Sequence, residues 1–389
     1  MRTILLLCAA SLCAETHKVT DAEVQAVHRS AILIDTHNDV PMRTLTGFDL
    51  GSSGKGGDTD IPRMKAGGMG AEFFAVYISG KYVNENRSAH HTLEVIDTVR
   101  HDIIEGHPKD LELALTADDI VAIHKRGKMA ALMGIEGGHA IEDSLRLLRQ
   151  YYNLGVRYMT LTHSNTNNWA DSSGDITKAG VTHHNGLTDF GKDVVREMNR
   201  IGMMVDISHV ADKTFWDALE VSKAPVFASH SSCRALSNQP RNMTDEMIRA
   251  LAKKGGVIQI NFACDFLNQK SADAGKALKA ELRVKFGDDM SALQEAEKKA
   301  ATLVPATLDD VVAHIDHVVK LVGADYVGIG SDFDGVDCTP RGLDDVSKFP
   351  NLTRVLLEKG YKPEDIRKIY GGNALRVMRA VEKVAREGK

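Results

Sequence analysis

The feature that most constrains this chain is an alternation of two patterns. Apolar, strand-like runs recur at residues 31–36, 71–78, 129–135, 156–162, 203–208, 225–229, 256–262 and 326–331. Amphipathic stretches lie between several of them. One covers 141–154, with Leu145, Leu147, Leu148, Tyr151 and Tyr152 on a helical period; others cover 190–201 and 243–254. A strand that is apolar along its whole length is buried on both faces, and helices are what cover it. Roughly eight such units in a chain this long predict a (β/α)8 TIM barrel. The competing architecture, a doubly wound open sheet, calls for a glycine-rich phosphate turn after its first strand. No such turn follows the first run, and Gly67-Gly68-Met69-Gly70 precedes the second run and reads as a turn. Two segments read as insertions. Gly51-Ser52-Ser53-Gly54-Lys55-Gly56-Gly57 suggests a mobile loop. Residues 270–299, after the seventh strand, are rich in Ala, Lys and Glu and suggest one or two surface helices with a solvated charged face. Residues 363–389 should close the barrel as a terminal helix pair.

At 389 residues, 43% hydrophobic and 26% charged, the chain has the composition of a soluble globular enzyme. Its net charge of -5 and its lack of a basic, aromatic-interleaved stripe argue against a nucleic-acid partner. Residues 1–14 join a basic tip at Arg2 to a short apolar core and a small-residue end at Ala14. That pattern reads as a secretory signal peptide, too short for a spanning helix. Residues 15–389 are then expected to form a single barrel domain, exported to a periplasm or secreted, with no membrane-spanning helix. Leu12 before Cys13 makes a poor lipoprotein signal, so a lipid tether is not favoured. Without the leader, Cys233, Cys264 and Cys338 remain, enough for at most one bridge within the chain, and its pairing is open.

The chemistry collects at the ends of the apolar runs. The first ends in Ile34-Asp35-Thr36-His37-Asn38-Asp39, where His37 and Asp39, two residues apart on a strand, share a face. The third ends at Glu136, the fourth at His163, the fifth at His209, the sixth at His230 and the eighth at Asp332. In a barrel these ends converge where active sites sit. One such histidine is ordinarily a hydrogen-bonded core residue. A whole set at matching strand ends is costly to bury unless it serves a site. The set holds enough donors for two metal ions, with zinc a suitable kind: His37 and Asp39 on one side, His209 and His230 on the other, and Glu136 as the bridge. No Lys ends a strand, which argues against a carbamylated lysine bridge. Two adjacent ions can share a hydroxide and polarise a carbonyl. Asp332, the remaining carboxylate, is placed to take the proton and pass it to a leaving amine.

These stretches resemble the membrane dipeptidase (renal dipeptidase) family of zinc metallopeptidases, in the form of a bacterial-type exported member. The resemblance runs from about residue 31 to 384. It rests on the strand ends above together with Gly70-Ala71-Glu72-Phe73-Phe74-Ala75-Val76-Tyr77, Gly134-Ile135-Glu136-Gly137-Gly138, Ser229-His230-Ser231-Ser232 with Arg241-Asn242, and Ser331-Asp332-Phe333-Asp334-Gly335. It implies a metal-dependent hydrolase barrel in which His37, Asp39 and Glu136 hold one zinc and Glu136, His209 and His230 the other. It further implies that His163 contacts the substrate carbonyl, Arg241 the substrate carboxylate, and Asp332 carries the proton. The residues agree with this. His163 is surplus to a two-metal site and is free to stabilise an oxyanion. A guanidinium such as Arg241 can grip a carboxylate through two hydrogen bonds. The region 270–305 does not align with the family, so a family substrate-binding residue after the seventh strand cannot be placed. The C-terminal Ala385-Arg386-Glu387-Gly388-Lys389 is charged, with no counterpart to a mammalian lipid anchor.

The expected activity is hydrolysis of small dipeptides bearing a free C-terminal carboxylate, through a metal-bridging hydroxide. The alternative is a metal-dependent amidohydrolase acting on N-acyl amino acids, β-lactams or lactones. A non-catalytic barrel fits poorly with an intact donor set. His90-His91 and His183-His184 read as solvated loop residues, His139 as a neighbour of the donors, and Trp169 with Asp171 as cleft lining. Asp206 either orients His209 or caps its strand. A homodimer is left open.

Overall fold

The computed structural model describes residues 18–54, 56–286 and 304–388. The leader and residues 287–299 of the second insertion lie outside them. Among the described residues, nine parallel strands form one sheet: β1 (Leu33–Asn38), β2 (Met69–Tyr77), β3 (Leu111–Leu113), β4 (Met129–Glu136), β5 (Val156–Thr160), β6 (Met204–Asp206), β7 (Phe227–Ser231), β8 (Val257–Ile260) and β9 (Val327–Ile329). Eight of them close on themselves, because β2 pairs with both β1 and β4 while β9 pairs with both β8 and β1. The result is the expected (β/α)8 barrel, and every one of the eight apolar runs supplies a strand. The short β3 has no counterpart among them. It lies along Met129–Ala131, before β5 joins β4 at Met133. Three residues carry too little pattern to be read as a strand.

Local chemistry explains the helices. In the helix Asp189–Ile201, the Thr188 hydroxyl accepts the Gly191 N–H, Val194, Val195 and Met198 are buried, and Gly202 at φ 90° ends the helix. Thr20 and Thr116 close capping boxes at two other helix starts. The C-terminal helix Asn373–Glu387, preceded by Pro363–Arg367, buries Leu375, Val377 and Met378 with Ile34, Phe73, Met204 and Phe227. It closes the end of the barrel opposite the strand C-termini, as the terminal pair was expected to do.

Both insertions make contacts that their sequence reading did not include. In the glycine-rich segment the Gly56 and Gly57 carbonyls accept from Arg43 and Arg63, and the Gly54 N–H donates to Asp60. The helix Gln269–Phe286 brings Lys276 and Lys279 to the wall of the main cleft, so its charges do more than face solvent. Cys264 and Cys338 form a disulfide that joins the loops after β8 and β9, and Cys233 is buried and free.

His314, fully buried on the helix Leu308–Val322, accepts the Cys233 N–H at one ring nitrogen and donates to the Leu267 carbonyl from the other. Burial is the main cause that lowers its pKa to about 4, with the Leu267 contact opposing. Its folded pKa lies below the unfolded value, so its contribution is complete above about pH 6.5 and is lost as pH falls toward 4. A loss of roughly 3 kcal/mol across that window is expected. Urea denaturation from pH 7 to 4 checks this, and a His314→Gln variant should show a shallower fall.

Candidate active site

The C-terminal strand ends converge on one buried polar cluster. His37 is in β1 and Asp39 follows it; Glu136 ends β4; His163 follows β5; His209 follows β6; His230 is in β7; Asp332 follows β9. Glu136 stands at the centre. One of its oxygens lies 2.8 Å from His209 Nε2, 3.1 Å from His230 Nε2 and 3.9 Å from His163 Nε2. Its other oxygen lies 3.6 Å from His37 Nε2. His37 Nε2 is 3.2 Å from Asp39 Oδ2 and 3.9 Å from Asp332 Oδ1. All seven side chains that the strand-end pattern singles out are therefore brought together.

A second layer aims the rings. Tyr158 hydroxyl sits 2.8 Å from His37 Nδ1, and Ser229 hydroxyl 2.7 Å from His230 Nδ1, so each Nε2 faces the cluster. Asp206 accepts from Ser229 N–H and hydroxyl and from Thr160 hydroxyl. It thus orients His230 through Ser229, where the sequence left a choice between His209 and a strand cap. Asn261 donates to Asp332 Oδ2 at 2.8 Å. Outer partners of this kind set tautomer and direction in metal sites. His209 and Asp332 both hold left-handed backbone, φ 65° and 64°. Such strain in non-glycine residues persists where neighbours impose it. Here the Ser173 N–H and hydroxyl hold the His209 carbonyl, and the Asp332 N–H donates to His37. Gly335 leaves the space: a Cβ there would meet Asp39 Oδ2 at 2.2 Å and Asp332 Oδ1 at 2.5 Å.

The electrostatics suit a cation. Burial lowers His209 and His230 well below the ordinary histidine value, leaving neutral imidazoles. Burial opposes a charge on His37 too, yet Tyr158, Glu136 and Asp39 outweigh it and raise that ring well above its usual value. Burial pushes Glu136 up, and His37, His163 and His209 outweigh it, keeping the carboxylate ionised. Burial raises Asp332, which His37 opposes and Asp39 and Glu136 reinforce. The cluster favours positive charge near His37, whose Nε2 is buried without an aligned hydrogen-bond partner. Among the described residues, the donor atoms fall into three groups, each within 4.8 Å: His37 with Glu136 and His230, Glu136 with His163 and His209, and His37 with Asp39 and Asp332. Neutral imidazoles and carboxylates in this arrangement fit borderline divalent metals.

The cluster forms the floor of a cleft of about 930 Å³, with Tyr77, Arg241 and Phe266 on its walls. Arg241 donates to the His230 carbonyl at 3.2 Å and packs over the Phe266 ring. The sequence profile of membrane dipeptidases (peptidase family M19) matches residues 21–389. The chain belongs to the membrane dipeptidase family. An uncharacterised dipeptidase of Schizosaccharomyces pombe is 37% identical over 95% of this chain and 85% of its own length. The crystal structure of the probable dipeptidase PvdM from Pseudomonas aeruginosa superposes with a TM-score of 0.82 at 27% identity, covering 94% of this chain and 99% of that one. A Rhodobacter sphaeroides metallopeptidase, solved with a phosphinate mimic of the dipeptide L-Ala-D-Ala, gives 0.73 at 25% identity over 90% and 99%.

As a member of that family the chain is a metallopeptidase barrel, and no helix among its described residues is long and apolar enough to cross a membrane. Some residues fall elsewhere than the sequence suggested. Trp169 is fully buried against Phe190 and does not line the cleft; a large ring is worth more in the packed layer. His90 and His91 lie on the helix Ser88–Asp97, with His91 buried and stacked on Tyr82. Tyr158, Ser229 and Asn261 were missed. The available signal was a polar group inside or at the end of an apolar run, and it was weak, since Gln259 shares the run with Asn261 and Arg157 and Thr160 flank Tyr158.

Proposed function

We propose that this chain is an exported two-zinc dipeptidase that cleaves small dipeptides with a free C-terminal carboxylate. The observation that carries the reading is Arg241 on the wall of a cleft whose floor is the Glu136-centred donor set. The Rhodobacter relative, which takes a dipeptide mimic, supports it. His37, Asp39 and Glu136 would hold one zinc, and Glu136, His209 and His230 the other. Bound there, the two ions would polarise the scissile carbonyl and make water a nucleophile at neutral pH. Arg241 binds the substrate carboxylate through paired hydrogen bonds and fixes its register. His163, on the same cleft, donates to the oxygen that gains charge. Asp332, held at one oxygen by Asn261, takes a proton at the other and delivers it to the leaving amine. Residues 1–14 would direct export, leaving 15–389 as one catalytic barrel.

A second reading, an amidohydrolase for N-acyl amino acids, β-lactams or lactones, is favoured by the size of the cleft. About 930 Å³ is near the top of the range for drug-sized ligands and exceeds what a dipeptide fills. Steady-state hydrolysis of one dipeptide and of its C-terminal amide separates the two. The free acid should be preferred, and Arg241→Ala should raise its KM by roughly 10–100-fold, the worth of a charged hydrogen-bond pair. Equal cleavage of acid and amide by the unaltered enzyme would remove the clamp. Cleavage of neither would favour the amidohydrolase.

A further inference from the structure

Arg241 is the only part of the proposed substrate clamp that sits on a long loop rather than at a strand end. The loop runs from the end of β7 to the helix Asp245–Lys253. A second arginine spans it. Arg234 donates from Nε to the Asn242 carbonyl at 2.8 Å and from Nη2 to the Pro240 carbonyl at 3.1 Å. These carbonyls belong to the residues on either side of Arg241. The rest of the guanidinium is taken by Asp212, which accepts from Nη1 and Nη2 at 2.7 Å each. Asp212 is the first residue of the helix Asp212–Val221, three positions after His209. Arg234 does not line the main cleft; it faces a separate surface hollow with Asp212 and Pro240. It therefore cannot meet a substrate held at the cluster.

We propose that Arg234, anchored by Asp212, is a positioning residue that sets the Arg241 guanidinium for the substrate carboxylate. The inference rests on the reading of Arg241 as the carboxylate clamp. Four of the five N–H donors of one rigid fork are used: two toward a carboxylate in a paired arrangement, and two toward peptide carbonyls that bracket the clamp residue. A Lys, with a point charge and no planar fork, cannot hold that geometry. The far side of the loop is fixed independently, since Asn242 donates to the Ser237 and Phe266 carbonyls. Loss of Arg234 should therefore loosen the position of Arg241 without unravelling the loop. The brace also ties the clamp to the helix that follows His209, so clamp and cluster share one frame.

The test is steady-state kinetics of the zinc-loaded enzyme on a free-acid dipeptide, with melting curves as the folding control. Arg234→Gln should raise KM on the order of tenfold, within the range that misplacement by a distant residue costs, with kcat changed less than about threefold. Asp212→Asn, at a half-exposed side chain, should move KM in the same direction by less and carries the test if Arg234→Gln does not fold. Arg234→Lys should fail to rescue. The decisive comparison is the double variant Arg234→Gln/Arg241→Ala. If Arg234 acts through Arg241, the double variant is no worse than Arg241→Ala alone; additive losses overturn the proposal. If Arg241→Ala raises KM while Arg234→Gln and Asp212→Asn do not, the clamp stands and the brace is overturned. An unchanged KM in Arg241→Ala overturns both.

Discussion

Replacing Glu136 with Gln should lower kcat/KM by about 10³ or more and bring bound metal below two ions per chain. Gln keeps the shape of the side chain but removes its charge and one acceptor oxygen. Both oxygens are used here: one faces His209 and His230 at 2.8 and 3.1 Å, the other faces His37 at 3.6 Å. No other carboxylate in the cluster lies against all three of those rings. Metal-assisted polarisation is worth several kcal/mol of barrier, and each 1.4 kcal/mol is about tenfold in rate. Elemental analysis of the purified variant beside its rate decides the matter. Two retained ions with near-normal turnover would show that Glu136 is not the shared ligand.

Asp332→Asn should behave differently. Turnover should fall by roughly 10²–10⁴, the range for a lost general acid–base group, while bound metal and KM stay close to normal. The geometry lets Asn keep its place, since the Asn261 amide holds one side of the group and the Asp332 N–H is fixed to the His37 carbonyl. The same experiment weighs a rival role. Asp332 shares a donor group with His37 and Asp39, so it stands where a ligand could stand. Loss of metal together with activity would make it a ligand, and near-normal turnover would remove it from the proton path.

The barrel was legible because its strands are buried on both faces, which writes them as unbroken apolar runs. The donors were legible for a related reason: a titratable side chain at the end of such a run has no structural excuse. His37, Asp39, Glu136, His209, His230 and Asp332 stood out that way. Arg241 did not, because a loop arginine carries no periodic signal, and only the family resemblance singled it out. Tyr158 and Ser229 sit inside apolar runs, and their roles depend on which strand faces them across the barrel. The Cys264–Cys338 pairing joins residues 74 apart in sequence, a closeness created by the convergence of the loops after β8 and β9. The cleft-facing lysines of the helix Gln269–Phe286 were hidden similarly: composition reports a charged helix, not which surface it meets.

Zinc titration of chelator-stripped protein, followed by hydrolysis of a free-acid dipeptide, bears most directly on the two-metal dipeptidase. Stripped protein should be inactive, and the rate should rise with added zinc and level off at about two equivalents per chain. Full activity without metal, or a plateau at one equivalent that further zinc does not move, would contradict a two-ion centre shared through Glu136.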